Sequence, residues 1–143
     1  NVFVIDLRYK RDTNFRLNKS LLSFVAQNGS GFTTIVNLLE LCAILSFNLN
    51  QDQLLDLWNY FQDRYKITVL PEPNFQRDFP SIEINRLFGI LSKKTSFGDA
   101  LMISAAEKYL SFVSTMVTWD NDHFKDKFAG NVLTPKAFLA DHD

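Results

Sequence analysis

Cysteine is almost absent from this chain, and the single Cys42 excludes both an internal disulfide and a thiolate metal cluster. Lying inside an apolar run, it reads as a small buried hydrophobe. Glycine and proline are sparse, five and four residues, and no low-complexity tract or internal repeat is present. No apolar run reaches the roughly 18 residues that a membrane span requires. No charged segment followed by an apolar one announces a secretory signal. A soluble, cytoplasmic chain with no membrane partner is therefore expected. An excess of one charge is missing too: the net charge is −1 and the pI is about 6.1. That balance argues against nucleic-acid binding by overall basicity, so any such contact must rest on local basic patches.

What the chain does have is the means to build a core. Its 143 residues are 46% hydrophobic, with 14 Phe and 2 Trp, an ordinary composition for one globular domain spanning 1–143. The sequence begins at Asn1 rather than Met, with the apolar run Val2-Phe3-Val4-Ile5 starting at once, so further leading residues are expected. That run, rich in β-branched residues, reads as a strand buried on both faces of a parallel sheet and ending at Asp6. Leu7 to Asn18 reads as an exposed loop carrying Arg8, Lys10, Arg11 and Arg16. A helix anchored by Leu21, Leu22, Phe24 and Val25 follows, broken at Asn28-Gly29-Ser30-Gly31 by a left-handed glycine.

Thr33 or Thr34 caps a second helix on which Ile35, Leu38, Leu39, Cys42 and Leu45 recur at helical spacing and which contains Glu40. Asn50 or Asp52 opens a third, with Leu54, Leu57, Trp58 and Phe61 as its apolar stripe. Ile67 to Leu70 reads as a second buried strand, stopped by Pro71. An amphipathic helix over 81–91 follows, then one capped by Ser96. The remainder reads as a strand over 112–119, a polar turn at 120–123, a short helix near 124–128, a last strand at 131–133, and a helical turn opened by Pro135. Strands alternating with helices indicate the α/β class. Trp58, Phe61 and Phe88, at helical spacing, are expected in the core, with a dimer patch as the alternative for some of them.

Asp6 and Asp120 both fall just past expected strands, the edge at which open parallel sheets bind ligands. Glu40 and Asp99 sit in apolar helical segments, where an ionised carboxylate needs compensation. Each acid alone reads more readily as a helix cap or a solvated surface group. Together they suit a divalent cation, because Mg²⁺ and Mn²⁺ prefer carboxylate and water oxygens and cancel the repulsion between clustered anions. Hydrolysis of a phosphodiester is the chemistry such a site favours.

Four blocks, Val2-Phe3-Val4-Ile5-Asp6, Ile35-Val36-Asn37-Leu38-Leu39-Glu40, Ser96-Phe97-Gly98-Asp99-Ala100-Leu101-Met102-Ile103-Ser104-Ala105-Ala106 and Val117-Thr118-Trp119-Asp120-Asn121-Asp122-His123-Phe124, arrive in the order seen in PIN-domain nucleases, which the chain resembles over nearly its whole length. The tail Val132-Leu133-Thr134-Pro135 with Phe138-Leu139 is similar to that family's ending. The resemblance implies a three-layer α/β/α fold around a mostly parallel central sheet, and a pocket for Mg²⁺ or Mn²⁺ in which Asp6, Glu40, Asp99 and Asp120 match the acidic quartet. Asp122 matches a frequent auxiliary acid and metal ligand. It further implies cleavage of RNA, and for many members of this size a toxin role, a small antitoxin partner and a homodimer.

One departure is plain. The family usually follows its first aspartate with Thr or Ser and then Asn, whereas Leu7 and Arg8 follow Asp6; the expected tripeptide appears instead as Asp12-Thr13-Asn14, without a strand before it. Arg8 either binds substrate phosphate or takes the metal's place, which would leave a catalytically silent module that binds RNA or protein. Arg8 and Arg11 are the expected substrate-binding pair, with Lys10 and Arg16 beside them and Lys93 and Lys94 ahead of Asp99. Thr118 and Ser96 carry hydroxyls able to position water, although strand packing and helix capping also account for them. His123, with no second histidine nearby, reads as a surface residue. A receiver-like phosphoacceptor domain shares this layout but needs an acidic pair at the first strand and a lysine after the last, which are missing.

Overall fold

A computed structural model describes all residues 1–143 as a mixed α/β chain of eight helices and four short strands. No helix is long and apolar enough to cross a membrane. The chain divides into two compact units, one made of 1–30 with 112–143, the other of 31–111.

In the first unit the chain opens with a helix, α1 (Val2–Arg8), where a strand was expected. Continuous apolar runs do not reveal by periodicity whether they form a strand or a packed helix, and here packing decides. Ile5 is buried, and the Val2 carbonyl receives the side-chain amide of Asn18 at 2.9 Å. Asp6 therefore lies on a helix and not at a strand end. The expected loop shrinks to 9–14, since α2 (Phe15–Asn28) begins early and ends on Gly29 in the left-handed conformation, as its sequence indicated.

The strand expected over 112–119 is only β3 (Thr115–Val117). It pairs in parallel with β4 (Asn131–Leu133), Thr115 opposite Asn131 and Val117 opposite Leu133. Between them the anticipated polar turn is itself helical, α7 (Asn121–Phe124), so the short helix lies earlier than expected. After β4, Thr134 caps α8 (Pro135–Ala140) by accepting from the Ala137 N–H, with Pro135 at the first helical position. This last helix packs on α2 through an edge-on contact of Phe24 with Phe138, 5.7 Å between centroids. Gly130 is a steric necessity: a Cβ there would stand 2.2 Å from the Ser114 carbonyl oxygen and 2.9 Å from the Phe128 ring.

The second unit starts with a strand that sequence reading missed, β1 (Gly31–Thr34). Its last residue also caps α3 (Ile35–Leu45), Thr34 accepting from the Asn37 N–H. Asn50 opens α4 (Gln51–Tyr65) with a reciprocal capping box to Gln53, and β2 (Ile67–Leu70) returns parallel to β1, Gly31 opposite Ile67. Thr68 is exposed between buried Ile67 and Val69, so β2 is covered on one face and not on both. Next come α5 (Ile84–Leu91) and α6 (Phe97–Tyr109), whose cap is Ser96. Phe61, Leu38, Ile103 and Val69 form the closed centre of this unit. Arg86 on α5 meets Glu107 on α6 in a two-pronged ion pair, with Nε 2.7 Å from one carboxylate oxygen. The Glu107 carboxylate raises the affinity of this guanidinium for its proton further.

Of the three expected core aromatics only Phe61 is enclosed. Trp58 is half-buried and stacks on Phe75 at 4.7 Å. Phe88 is 71% exposed and its helical neighbour Ile84 is 84% exposed, because α5 turns its other side, with Ile90, inward. Both chain pairings are parallel, in keeping with the α/β expectation, and each unit holds one two-stranded sheet.

Two substitutions check this packing. Gly130→Ala should lower unfolding free energy by about 1–3 kcal/mol, because the added methyl forces β4 away from Ser114. Ser104, whose hydroxyl is buried without a hydrogen-bond partner, should tolerate Ala with no loss or a gain of up to about 1 kcal/mol. Denaturant titration measures both.

Candidate functional site

In the second unit the Glu40 carboxylate approaches the start of α6, the turn that also carries Asp99. Glu40 lies on the exposed side of α3, and its Oε1 is 3.3 Å from where a Cβ on Gly98 would sit. Gly98 is thus the small residue that lets the Glu40 carboxylate settle against the first helical turn. Asp99 belongs to that same turn, its N–H donating to the Ser96 hydroxyl at 3.2 Å. The segment after it, with buried Ala100, Ile103, Ala105 and Ala106, brings α6 close to α3 and β1, and this close packing sets the approach. Unlike Asp99, which is half-buried, Glu40 stands in solvent, so the sequence argument that its charge is trapped on an apolar face does not hold. Carboxylates near a helix N-terminus are partly stabilised by the positive end of the helix dipole. As oxygen donors they also fit Mg²⁺ or Mn²⁺, which take one or two carboxylates and fill their remaining positions with water.

In the first unit Asp120 is exposed just beyond β3, and its N–H donates to the Thr118 hydroxyl at 3.2 Å. Thr118 is buried and serves to hold the loop. Asp122 lies in the first turn of α7, with the Lys125 ammonium 4.0 Å from its carboxylate and both side chains largely solvated, an arrangement of little energetic weight. His123 is partly covered and lies edge-on against Phe124.

The loop bearing Asp120 is held by residues that sequence reading missed. Asn1 Oδ1 accepts from the Trp119 N–H at 3.3 Å and from the Thr118 hydroxyl at 3.5 Å. Asn18, fully buried, accepts from the Trp119 indole N–H at 2.9 Å while donating to the Val2 carbonyl. The available signal was one amide within the apolar face of α2. Asp6 is half-buried and sits about 7.5 Å along the α1 axis from Asn1, at 1.5 Å of rise per residue.

Arg8 ends α1, and with Tyr9, Lys10, Arg11 and Asp12 it lines an open hollow of about 410 Å³. In neither unit do three or more His, Cys, Asp or Glu side chains gather as a metal-holding group. Comparison with protein families, with characterised proteins and with solved structures finds no match.

Asn18→Leu should cost about 1–3 kcal/mol, because it leaves the Trp119 indole N–H without its acceptor and removes the bond to the Val2 carbonyl. Trp119 fluorescence during denaturant unfolding reports it. Half-buried Cys42, whose thiol is pushed up by burial, favours its protonated form in the native state. Alkylation at pH 8 should therefore be slower than in the unfolded chain and accelerate as pH rises, since the thiolate is the reactive species.

Proposed function

We propose that the chain is a divalent-metal-dependent endoribonuclease that hydrolyses RNA phosphodiester bonds, a single domain with PIN-like α/β/α layering. The observation that carries this reading is the approach of the Glu40 carboxylate to the helical turn bearing Asp99, two acids distant in sequence that the family resemblance pairs. The parallel strand β3 leading toward exposed Asp120 agrees with it.

Within this reading Glu40 and Asp99 would hold Mg²⁺ or Mn²⁺, and the family resemblance counts Asp6, Asp120 and Asp122 as the further acids. The cation supplies charge neutralisation at the scissile phosphate and a more acidic water. In this reading Asp120, exposed to solvent, would serve as a general base. Arg8 and Arg11 bind substrate phosphates, using guanidinium groups suited to two-pronged contacts.

Labelled single-stranded RNA incubated with Mn²⁺ should be cut by the native chain, and about a hundredfold more slowly by Asp99→Asn and Glu40→Gln. Equal products from all three would remove the enzyme. Gly98→Ala is a subtler probe: its methyl displaces the Glu40 carboxylate by a few tenths of an ångström, so cleavage should fall while stability changes by no more than about 1 kcal/mol.

A second reading, a catalytically silent PIN-like module that binds RNA or protein, is favoured by one observation: Asp6 lies on α1 and is followed there by Leu7 and Arg8. RNA retention without cleavage under the same conditions would select it. A toxin role belongs to the first reading, with a small antitoxin as partner and a cytoplasmic location. Expression should then arrest growth, and Asp99→Asn should abolish the arrest. The exposed apolar ridge of Ile84 and Phe88 on α5 suits homodimer contact.

A further inference from the structure

Residues 8–27 hold five cations and a single acid, Asp12, in a chain whose net charge is −1. The remainder is correspondingly acidic, so the basic groups are segregated. All five cations, Arg8, Lys10, Arg11, Arg16 and Lys19, are exposed, and the one carboxylate among them is engaged locally, Asp12 Oδ1 accepting from the Asn14 N–H at 2.7 Å. On α2, Arg16, Lys19, Ser20, Ser23 and Gln27 fall on one helical face and line an open groove of about 500 Å³. Ahead of it lies the hollow lined by Arg8 to Asp12.

Aromatic rings are interleaved with these charges. The Arg8 guanidinium stands 5.5 Å from the centre of the Tyr9 ring, which is 47% exposed, and the Lys19 ammonium stands 5.9 Å from that of Phe15. Cations that follow a backbone, alternating with rings on which bases stack, are the chemistry of single-strand recognition. The grooves are open and shallow, and the contacts they offer are to phosphates and base faces, with no set of polar groups arranged to read one sequence.

We propose that the α1–α2 turn and the outer face of α2 form one continuous docking track for single-stranded RNA, which binds without divalent metal and without sequence preference. It rests on the reading of RNA as the substrate, and it extends contact well beyond Arg8 and Arg11. Arg16 and Lys19 neutralise phosphates along α2, while Tyr9 offers a stacking surface at the turn.

The test is binding of a fluorescein-labelled unpaired 20-nucleotide RNA in EDTA, by anisotropy at several salt concentrations. Asp99→Asn should bind as the native chain does, which separates docking from cleavage. Arg16→Glu with Lys19→Glu should weaken binding about tenfold or more and reduce the salt slope by about 1.4, two phosphate contacts at about 0.7 each. Tyr9→Ala should weaken it about fivefold or more, and Lys66→Glu with Arg77→Glu, exposed cations elsewhere on the chain, should leave it unchanged. Far-ultraviolet circular dichroism establishes that the surface variants remain folded. Undiminished affinity in the folded α2 variant, or equal loss in the Lys66/Arg77 control, overturns the track whether or not the chain cleaves RNA.

Discussion

The first unit is held together by one buried side-chain amide. Asn18 donates to the Val2 carbonyl and accepts from the Trp119 indole, joining the opening helix, the second helix and the segment after β3 across most of the chain's length. A hydrophobic residue of similar volume would fill the space but could not meet both groups, and a buried donor or acceptor without a partner costs more than an ordinary hydrogen bond contributes. The interaction is therefore directional as well as cohesive. It fixes the indole of Trp119, the residue immediately before Asp120, and Asn1 holds the same residue by its backbone.

A different constraint organises the second unit. Thr34 both ends a strand and caps the helix that follows, so the direction of α3 is set at the edge of the sheet. Small residues on α6 then permit a close approach, and Gly98 leaves room for the Glu40 carboxylate. The helix N-terminus offers this carboxylate partial positive charge, worth about 0.3–1 kcal/mol at an exposed site. Glu40 and Asp99 consequently have a structural reason to share this turn even without a cation. The ribonuclease reading depends on their donor chemistry and on the order of the motifs, with electrostatic necessity playing no part.

Much of the second unit was legible because local chemistry coincided with tertiary packing. Thr34, Asn50 and Ser96 were among the residues readable as caps, the first beside Thr33 and the second beside Asp52, and each accepts the hydrogen bond that its residue type favours. Ile67 to Leu70 was readable as a strand because Pro71 ended it. Gly31 to Thr34 was not, since a four-residue strand that opens on a glycine within a turn-like stretch carries little pattern of its own and is defined by pairing with Ile67 to Leu70. Phe88 misled for a similar reason: periodicity identifies an apolar face on α5 but says nothing of which face the protein covers.

By itself, the sequence determined the α/β class, the helix caps, the glycine stop at Gly29 and the segregation of positive charge between residues 8 and 27, because each depends on residue type and near neighbours. Tertiary structure alone decided that Val2 to Ile5 would be helical, that Asn18 would bracket Trp119, and that Glu40 would reach the turn carrying Asp99. Those outcomes depend on partners distant in the chain. A short apolar run can bury itself as helix or strand, and the choice falls to whichever arrangement satisfies its backbone and its neighbours together.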